Sequence, residues 1–441
     1  MSTSGNSSNQ TNHCEPGVKR QSGTLPFTDG IEDELKTMKL KQLIPLTNSI
    51  CFGGALAAGI GTAKADDASM QELKARVALL EDLAKKEGIL PSGTTPPKMV
   101  SALSDINLSG FVTASYFYDT SQPPGNKSPG YLWNRQSDSF DINKIKLTIA
   151  STPVEQSGEK FGAAFRASFI WGQDAPIVNS GAGANPGFNN LREAYVELNV
   201  PVGSGINVKA GELISLLNYE SGDGGAANDN FSQGYQWFYT GNGPAAGVQA
   251  GYSFTDKVDL KVRVQNGLYA GPVDSNGSKT FMGALGVKPC KDVWLSFIGF
   301  FGRENPNLYL DGASLLGGWK ATDKFNIGTE LDYFNFHVGS SDHLVYSAGG
   351  WFAYTLTDKV TAALRAEFLS DHDGVDASGD PLGFALNGGQ DIYSFAFTLN
   401  YKPVANIKLQ PEIRFDHTTL SNGFGKEDSR VLVGMGASYL F

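Results

Sequence analysis

A chain of 441 residues with 35 Lys and Arg against 45 Asp and Glu carries a formal net charge of −10, and without a basic block it excludes nucleic acid as a partner. Three cysteines are too few for a disulfide framework or a thiolate metal site. The apolar content of 41% and charged content of 18% leave a strand-built membrane protein open, because a spanning β-wall alternates apolar with polar and is never oily on average.

Residues 1–37 are polar, rich in Ser, Asn and Gly, and lack an apolar period. They are assigned no fold and read as an unstructured or over-extended gene start. Met38-Lys39-Leu40-Lys41 is a basic start, 43–60 is mostly apolar and small, and Ala63-Lys64-Ala65 gives a small-x-small end. That pattern predicts a secretory signal over 38–65, cleaved after Ala65. Pro45, Asn48 and Ser49 interrupt the apolar run and disfavour a permanent membrane helix. Cys14 and Cys51 precede the cleavage point, leaving Cys290 as an incidental free thiol in a predicted turn. Met70, Leu73, Val77, Leu80 and Ala84 are spaced three and four apart, which predicts a helix over 66–87; Glu72 with Arg76 and Glu81 with Lys85 are acid-before-base pairs one turn apart. It either joins protomers in the periplasm as a short coiled coil or stays a loose amphipathic helix or lumen plug. Pro91, Pro96 and Pro97 mark 88–104 as a linker.

From Asp105 the apolar period becomes two, and turn residues divide the text into sixteen candidate strands. They lie near 105–118, 140–152, 160–172, 189–201, 205–216, 243–255, 257–269, 279–288, 292–303, 309–322, 324–337, 343–357, 359–370, 390–402, 406–418 and 430–441. Brief links such as 201–204, Asp256, Lys291, Asp323, Asp358 and 403–406 alternate with mostly longer polar ones such as 119–139, 172–188, 217–242 and 370–389. An even-stranded barrel with both ends on its short-turn side requires that rhythm, and a soluble sandwich does not. Three hairpins reuse one turn, Thr255-Asp256-Lys257, Thr322-Asp323-Lys324 and Thr357-Asp358-Lys359. The predicted fold is all-β: a transmembrane antiparallel up-and-down β-barrel of about sixteen strands over 105–441, preceded by a short periplasmic helix.

Within 406–418, Ile407, Leu409, Pro411, Ile413 and Phe415 share one side, and Lys408, Gln410, Glu412, Arg414 and Asp416 the other. A charge facing lipid at mid-depth costs roughly 2–4 kcal/mol, so the polar row must face water or itself. The same alternation turns Lys144, Lys146, Arg166, Lys261, Arg263, Glu330, Asp332, Arg365 and Glu367 inward with Lys408, Glu412 and Arg414, and these twelve are the candidate pore-lining residues. Tyr393, Phe395, Phe397, Leu399 and Tyr401 form a lipid face with aromatics at both ends. Basic groups lead in the early strands and acids join later; opposed walls of that kind orient hydrated solutes. Passive diffusion of small hydrophilic solutes or ions is therefore expected, against the competing reading that the charges only pair and fill the barrel. The 217–242 link carries Asn228-Asp229-Asn230 and the rings of Tyr235, Trp237, Phe238 and Tyr239. It either folds inward to narrow the pore or stays outside with its rings in the interface.

The sequence holds no His-Glu-x-x-His, Gly-x-Ser-x-Gly or Cys-x-x-Cys, so no catalytic residue, cofactor or metal is expected. Carboxylates over 371–380 have spacings that could gather Ca²⁺ but lack the closing Glu of an EF-hand loop, and read as a solvated loop. His337, His343, His372 and His417 fall near loop ends. A barrel-wall hydrolase pairing one of them with a nearby Ser is the alternative function, as is a mainly structural or adhesive barrel. Expected partners are outer-membrane lipid and small polar solutes.

At the end of the chain, Val431, Val433, Met435, Ala437, Tyr439 and Phe441 share one face, while Leu432, Gly434, Gly436, Ser438 and Leu440 take the other. This strand resembles the closing strand of bacterial outer-membrane barrels, where a terminal Phe recurs. Together with Val208-Lys-Ala-Gly-Glu212 leading to Asn218-Tyr-Glu220 and the repeated Thr-Asp-Lys turns, the chain resembles the OmpL-like β-barrel porins of Gram-negative bacteria, and secondarily the carbohydrate-selective porins. The resemblance implies an outer-membrane location, passive diffusion without a cofactor, frequent homotrimers, and sugars as one candidate solute class. It carries over no substrate residue.

Overall fold

The computed structural model describes residues 106–129, 135–180, 186–268, 271–274, 276–371, 389–424 and 426–441. Sixteen antiparallel strands pair in chain order, and β1 pairs with β16 to close the barrel. They are β1 Ile106–Asp119, β2 Ser139–Ser151, β3 Gly162–Trp171, β4 Leu191–Val200, β5 Ile206–Leu213, β6 Ala245–Ser253, β7 Val258–Gln265 and β8 Thr280–Cys290, followed by β9 Val293–Asn305, β10 Leu308–Lys320, β11 Phe325–Val338, β12 Ser341–Thr357, β13 Val360–Asp371, β14 Gln390–Tyr401, β15 Ile407–Thr418 and β16 Ser429–Leu440. Each coincides with an expected strand to within a few residues. The largest differences are β7, which stops at Gln265, and β5, which stops at Leu213. Gly211 there adopts φ 139°, a backbone conformation that side chains resist, and the chain leaves the wall soon after. Two links expected to be longer are hairpins, Pro306-Asn307 after β9 and Gly339-Ser340 after β11. Cys290 ends β8 rather than sitting in a turn, and is exposed and free. The expected signal (38–65), helix (66–87) and linker (88–104) lie outside the described residues, as does 372–388, which holds His372 and the calcium candidate beyond Asp371.

Alternation decides the faces. On β14, Tyr393, Phe395, Phe397, Leu399 and Tyr401 are exposed while Ser394, Ala396, Thr398 and Asn400 are buried; the exposed apolar row is the side a spanning wall presents to lipid. At the repeated turns the Thr hydroxyl accepts backbone N–H bonds from one or two of the next residues, from Lys257 and Val258 onto Thr255 (3.1 Å each), from Lys324 and Phe325 onto Thr322 (3.2 and 3.0 Å), and from Lys359 onto Thr357 (3.3 Å). This side-chain mimicry of a backbone turn explains why one tripeptide serves three hairpins. The seam runs from Phe111↔Leu440 to Asp119↔Leu432. Phe441 extends it: Gly110 N–H donates to the Phe441 carbonyl (2.9 Å) and Phe441 N–H to the Gly110 carbonyl (3.0 Å).

The inner wall is not uniformly polar. Inward positions on β8 to β11 include Met282, Ile298, Phe300, Leu310, Leu316, Phe334 and Phe336, and they form a hydrophobic core with Leu217, Tyr235, Leu268 and Phe424 from the loops. Burial at about 25 cal/mol per Å² of apolar surface holds that part of the interior closed. A second cluster joins Phe117, Ile170 and Leu432 of the wall to Ala175 and Val178 of α1 (Ala175–Val178) in the β3–β4 link, and to Phe231 and Trp237.

Phe231 and Trp237 belong to the 214–244 loop between β5 and β6, which runs inside the barrel and carries the short helix α2 (Tyr235–Tyr239). Of the two expected courses for this link, the inward one is taken. A chain away from the sheet has no ladder for its N–H and C=O groups, and the inner wall supplies partners. Glu330 accepts from Tyr219 N–H (2.8 Å), Glu412 from Phe231 (2.7 Å) and Ser232 (3.2 Å), and Glu367 from Tyr235 (3.3 Å) and Gln236 (3.2 Å). Lys408 donates to the carbonyls of Gly225 (2.9 Å) and Asn228 (2.6 Å), Arg414 to that of Gln233 (2.9 Å), and Arg365 to those of Ser232 and Gln233. The Phe231 ring stacks on Phe117 (5.6 Å between centroids) and lies where a Cβ on Gly436 would stand. The small residues on the inner face of β16 thus leave room for the loop.

Gly436→Leu overpacks that seat at a cost of about 1–3 kcal/mol and displaces Phe231, so single-channel conductance in planar bilayers should rise and grow noisier while the barrel still assembles. Removing Phe441 takes away two main-chain bonds of the seam; on detergent gels the intact protein should migrate faster unboiled than boiled, and the truncated one should lose that difference.

Candidate functional site

The wall charges fall into two populations. Ten of the twelve sequence candidates are buried, Arg263 and nine more that lie on the seat of the inner loop, Lys144, Lys146, Glu330, Asp332, Arg365, Glu367, Lys408, Glu412 and Arg414. They were expected to line water; instead the inner loop and its neighbours cover them. Lys144 pairs with Asp174 beside α1 (2.9 Å) and Lys146 with Asp223 of the inner loop (2.6 Å). Asp332 accepts from the Gln236 amide (3.0 Å) and the Thr240 hydroxyl (2.8 Å). Arg365 bridges Glu220 (2.8 Å) and Glu367 (2.9 Å), and Asp416 lies between Arg414 (2.7 Å) and Arg430 (3.0 Å). The Tyr235 hydroxyl donates to Asp416 (3.0 Å) and accepts from Arg430 (3.0 Å). Burial holds that phenol above the ordinary tyrosine range, so the proton stays available for the bond.

Arg166, Lys261 and the buried Arg263 stand on β3 and β7, away from that seat. Between the inner loop and the β4 to β7 wall is a cavity of about 310 Å³, lined by Glu193, Tyr195, Lys209, Gln249, Asp259, Lys261 and Arg263, and by Leu216 where the loop leaves the sheet. Its charges are only partly balanced. Arg166 holds Glu193 (2.6 Å), and the Lys209 ammonium sits 3.8 Å from Glu197 and 4.7 Å above the Tyr195 ring. Arg263 instead donates to the Gln249 amide oxygen (2.7 and 3.1 Å) and to the Ile214 carbonyl (2.8 Å). Among the described residues neither Arg263 nor the exposed Lys261 meets a carboxylate. The inner loop exposes Asp229 and half-buries Asp223. A cationic excess on one wall, with acids on the loop, can orient a hydrated solute as it passes.

Glu193, Tyr195 and Lys209 were not singled out from the sequence. The signal was present, since Glu193, Tyr195 and Glu197 alternate with Ala194, Val196 and Leu198. Of the histidines, His417 lies across from Ser429 with Nδ1 2.8 Å from its Oγ. Among the described residues no acid accompanies the other ring nitrogen, so the pair lacks the third group that orients a catalytic histidine. His337 instead lies between Asp311 and Asp342 (2.6 Å each).

Over residues 105–441 the chain matches the family model described as "Putative beta-barrel porin-2, OmpL-like". Its fold is similar to that of the anion-selective porin from Comamonas acidovorans, at 12% identity and TM-score 0.50, covering 76% of this chain and 99% of that one. Also similar are a loop L8 deletion mutant of OmpT, an outer membrane protein of Vibrio cholerae (11% identity, TM-score 0.49, 76% and 99% covered), and the outer membrane channel DcaP of Acinetobacter baumannii (16% identity, TM-score 0.47, 76% and 97% covered). No curated protein matches the chain in sequence. The closed sixteen-stranded wall and a family match that spans all of it identify the chain as a member of the OmpL-like β-barrel porin family of the outer membrane.

Proposed function

We propose that the protein gives passive diffusion of small hydrophilic solutes or ions through the space left between the inner loop and the β3 to β7 wall. Lys261 is the pore-lining residue in contact with the passing solute, the buried Arg263 and the half-buried Arg166 add positive charge behind it, and the other nine candidates fix the loop that sets the width. The observation that carries this reading is the cationic pair Lys261 and Arg263, adjacent inward positions of β7 on the cavity and without a carboxylate partner among the described residues. A wall built only to fill a barrel would have neutralised them, because an unpaired charge gains nothing from burial. Export through the 38–65 signal and assembly as a homotrimer complete the proposal.

Neutralising both residues, Lys261→Gln with Arg263→Gln, should lower the anion-to-cation permeability ratio about threefold, the effect of a screened charge contribution of about 0.7 kcal/mol. Reversal potentials across planar bilayers under a salt gradient measure this, and an unchanged ratio removes both residues from selectivity. The hydrolase alternative rests on the contact between His417 and Ser429; phospholipid hydrolysis by the folded protein that disappears in Ser429→Ala would support it over a simple pore.

A further inference from the structure

The links on the short-turn side of the barrel are brief, from two residues at Lys291-Asp292 and Asp358-Lys359 to five at 201–205 and 402–406. The β2–β3 link, 152–161, is the exception. β2 and β3 pair only as far as Ala150↔Arg166, and the link, instead of closing a hairpin there, turns under the inner face of the wall. Val154 packs on Gly162, where a Cβ would come within 2.7 Å of its methyl group. Asn199 shares the inner face of β4 with Glu193 and Tyr195 and has no exposed surface. Its side chain accepts from the Ser157 N–H (3.2 Å) and donates to the carbonyls of Ser157 (2.7 Å) and Lys160 (2.6 Å). A Cβ on Gly205, in the β4–β5 link, would stand 2.7 Å from the Ser157 main chain, so glycine there lets the segment pass.

The reach goes further. The Gln156 side-chain amide donates to the Gly205 carbonyl (2.5 Å), and its oxygen accepts from the Ser253 hydroxyl at the end of β6 (3.1 Å). Gln156 and Ser253 both line the cavity between the inner loop and the β4 to β7 wall, at the end opposite Ser215 and Leu216 of that loop. A link that served only to cover the unpaired edge of β3 would stop at β3. This one bonds β4, the β4–β5 link and β6 in turn, on the lumen side. Its two attachments differ in kind. Asn199 supplies three bonds from a fully buried position, where water does not compete and a lost partner leaves an unsatisfied group. Gln156 supplies two from a half-buried side chain, one of them to the half-buried Ser253. Neutral bonds of that kind exchange with water at little net cost. The link is therefore fixed at its root and releasable at its tip.

We propose that the β2–β3 link is a strap across the short-turn end of the diffusion path, anchored at Asn199 and latched by Gln156 to Gly205 and Ser253, and that release of the latch widens that end. The proposal rests on the diffusion reading above and adds a second restriction to the one set by the inner loop. Single-channel recording of the purified full-length protein in planar bilayers, in KCl, tests it. The wild type should show two open levels, the lower one dominant. Gln156→Ala removes both latch bonds and should raise occupancy of the higher level about tenfold, while Ser253→Ala removes one and should raise it about threefold. In a chain carrying Cys290→Ser, joining Gln156→Cys to Ser253→Cys with a short reducible bis-thiosulfonate should hold the lower level, and reductant should restore the higher one. The strap is overturned if Gln156→Ala conducts with wild-type levels and occupancies, or if the cross-link leaves the current unchanged, since the link would then only cover the edge of β3. A chain that folds and inserts but carries no ion current in any of these forms would instead overturn the diffusion reading.

Discussion

The interior of this barrel is governed by one requirement: a peptide that crosses it must find partners for its N–H and C=O groups. The 214–244 loop meets that requirement through wall charges of both signs, carboxylates at Glu330, Glu367 and Glu412 for its donors and cations at Arg365, Lys408 and Arg414 for its acceptors. Each main-chain group buried without such a partner would cost about 1–3 kcal/mol. Buried ion pairs are weak stabilisers in themselves. Here the same groups also specify which stretch of the loop sits on which strand, so they act chiefly as a positioning device.

The inner surface consequently has three parts with different chemistry. From β11 to β16 it is a charged seat filled by peptide. From β8 to β11 it is apolar and packed, around Ile298, Phe300, Leu310 and Phe334. From β4 to β7 it is polar and borders the cavity, and Lys261 there is exposed. The lumen is thus asymmetric: one side of the ring bears the loop and the other borders the cavity.

Period-two alternation made the strands and their faces legible, because the distinction between lipid and non-lipid sides is written at every second position. It could not separate inward residues that touch water from inward residues that touch protein. Lys261 and Arg365 look alike in the text, each a cation flanked by apolar neighbours, yet one is exposed and the other 0% exposed. The deciding partner is a loop more than a hundred residues from Arg365 in sequence. Alternation also failed where both faces are apolar. Trp294, Leu295, Phe297, Ile298, Phe300 and Phe301 of β9 give no polar side, so neither its packed interior nor the inward turn of Trp294 could be read. The rings at Tyr235 and Trp237 did signal burial, but a ring buries equally well in protein or in a lipid interface.

The position of Gly436 has a consequence for biogenesis. Phe231 rests on it, and the neighbouring carboxylate that grips the loop there, Glu412, is on β15, so part of the loop's seat lies on the final two strands of the polypeptide. Those are also the strands that meet β1 to shut the wall. Ring closure and the seating of Phe231 therefore share a strand, so this part of the loop gains its complete seat only when β15 and β16 are in place.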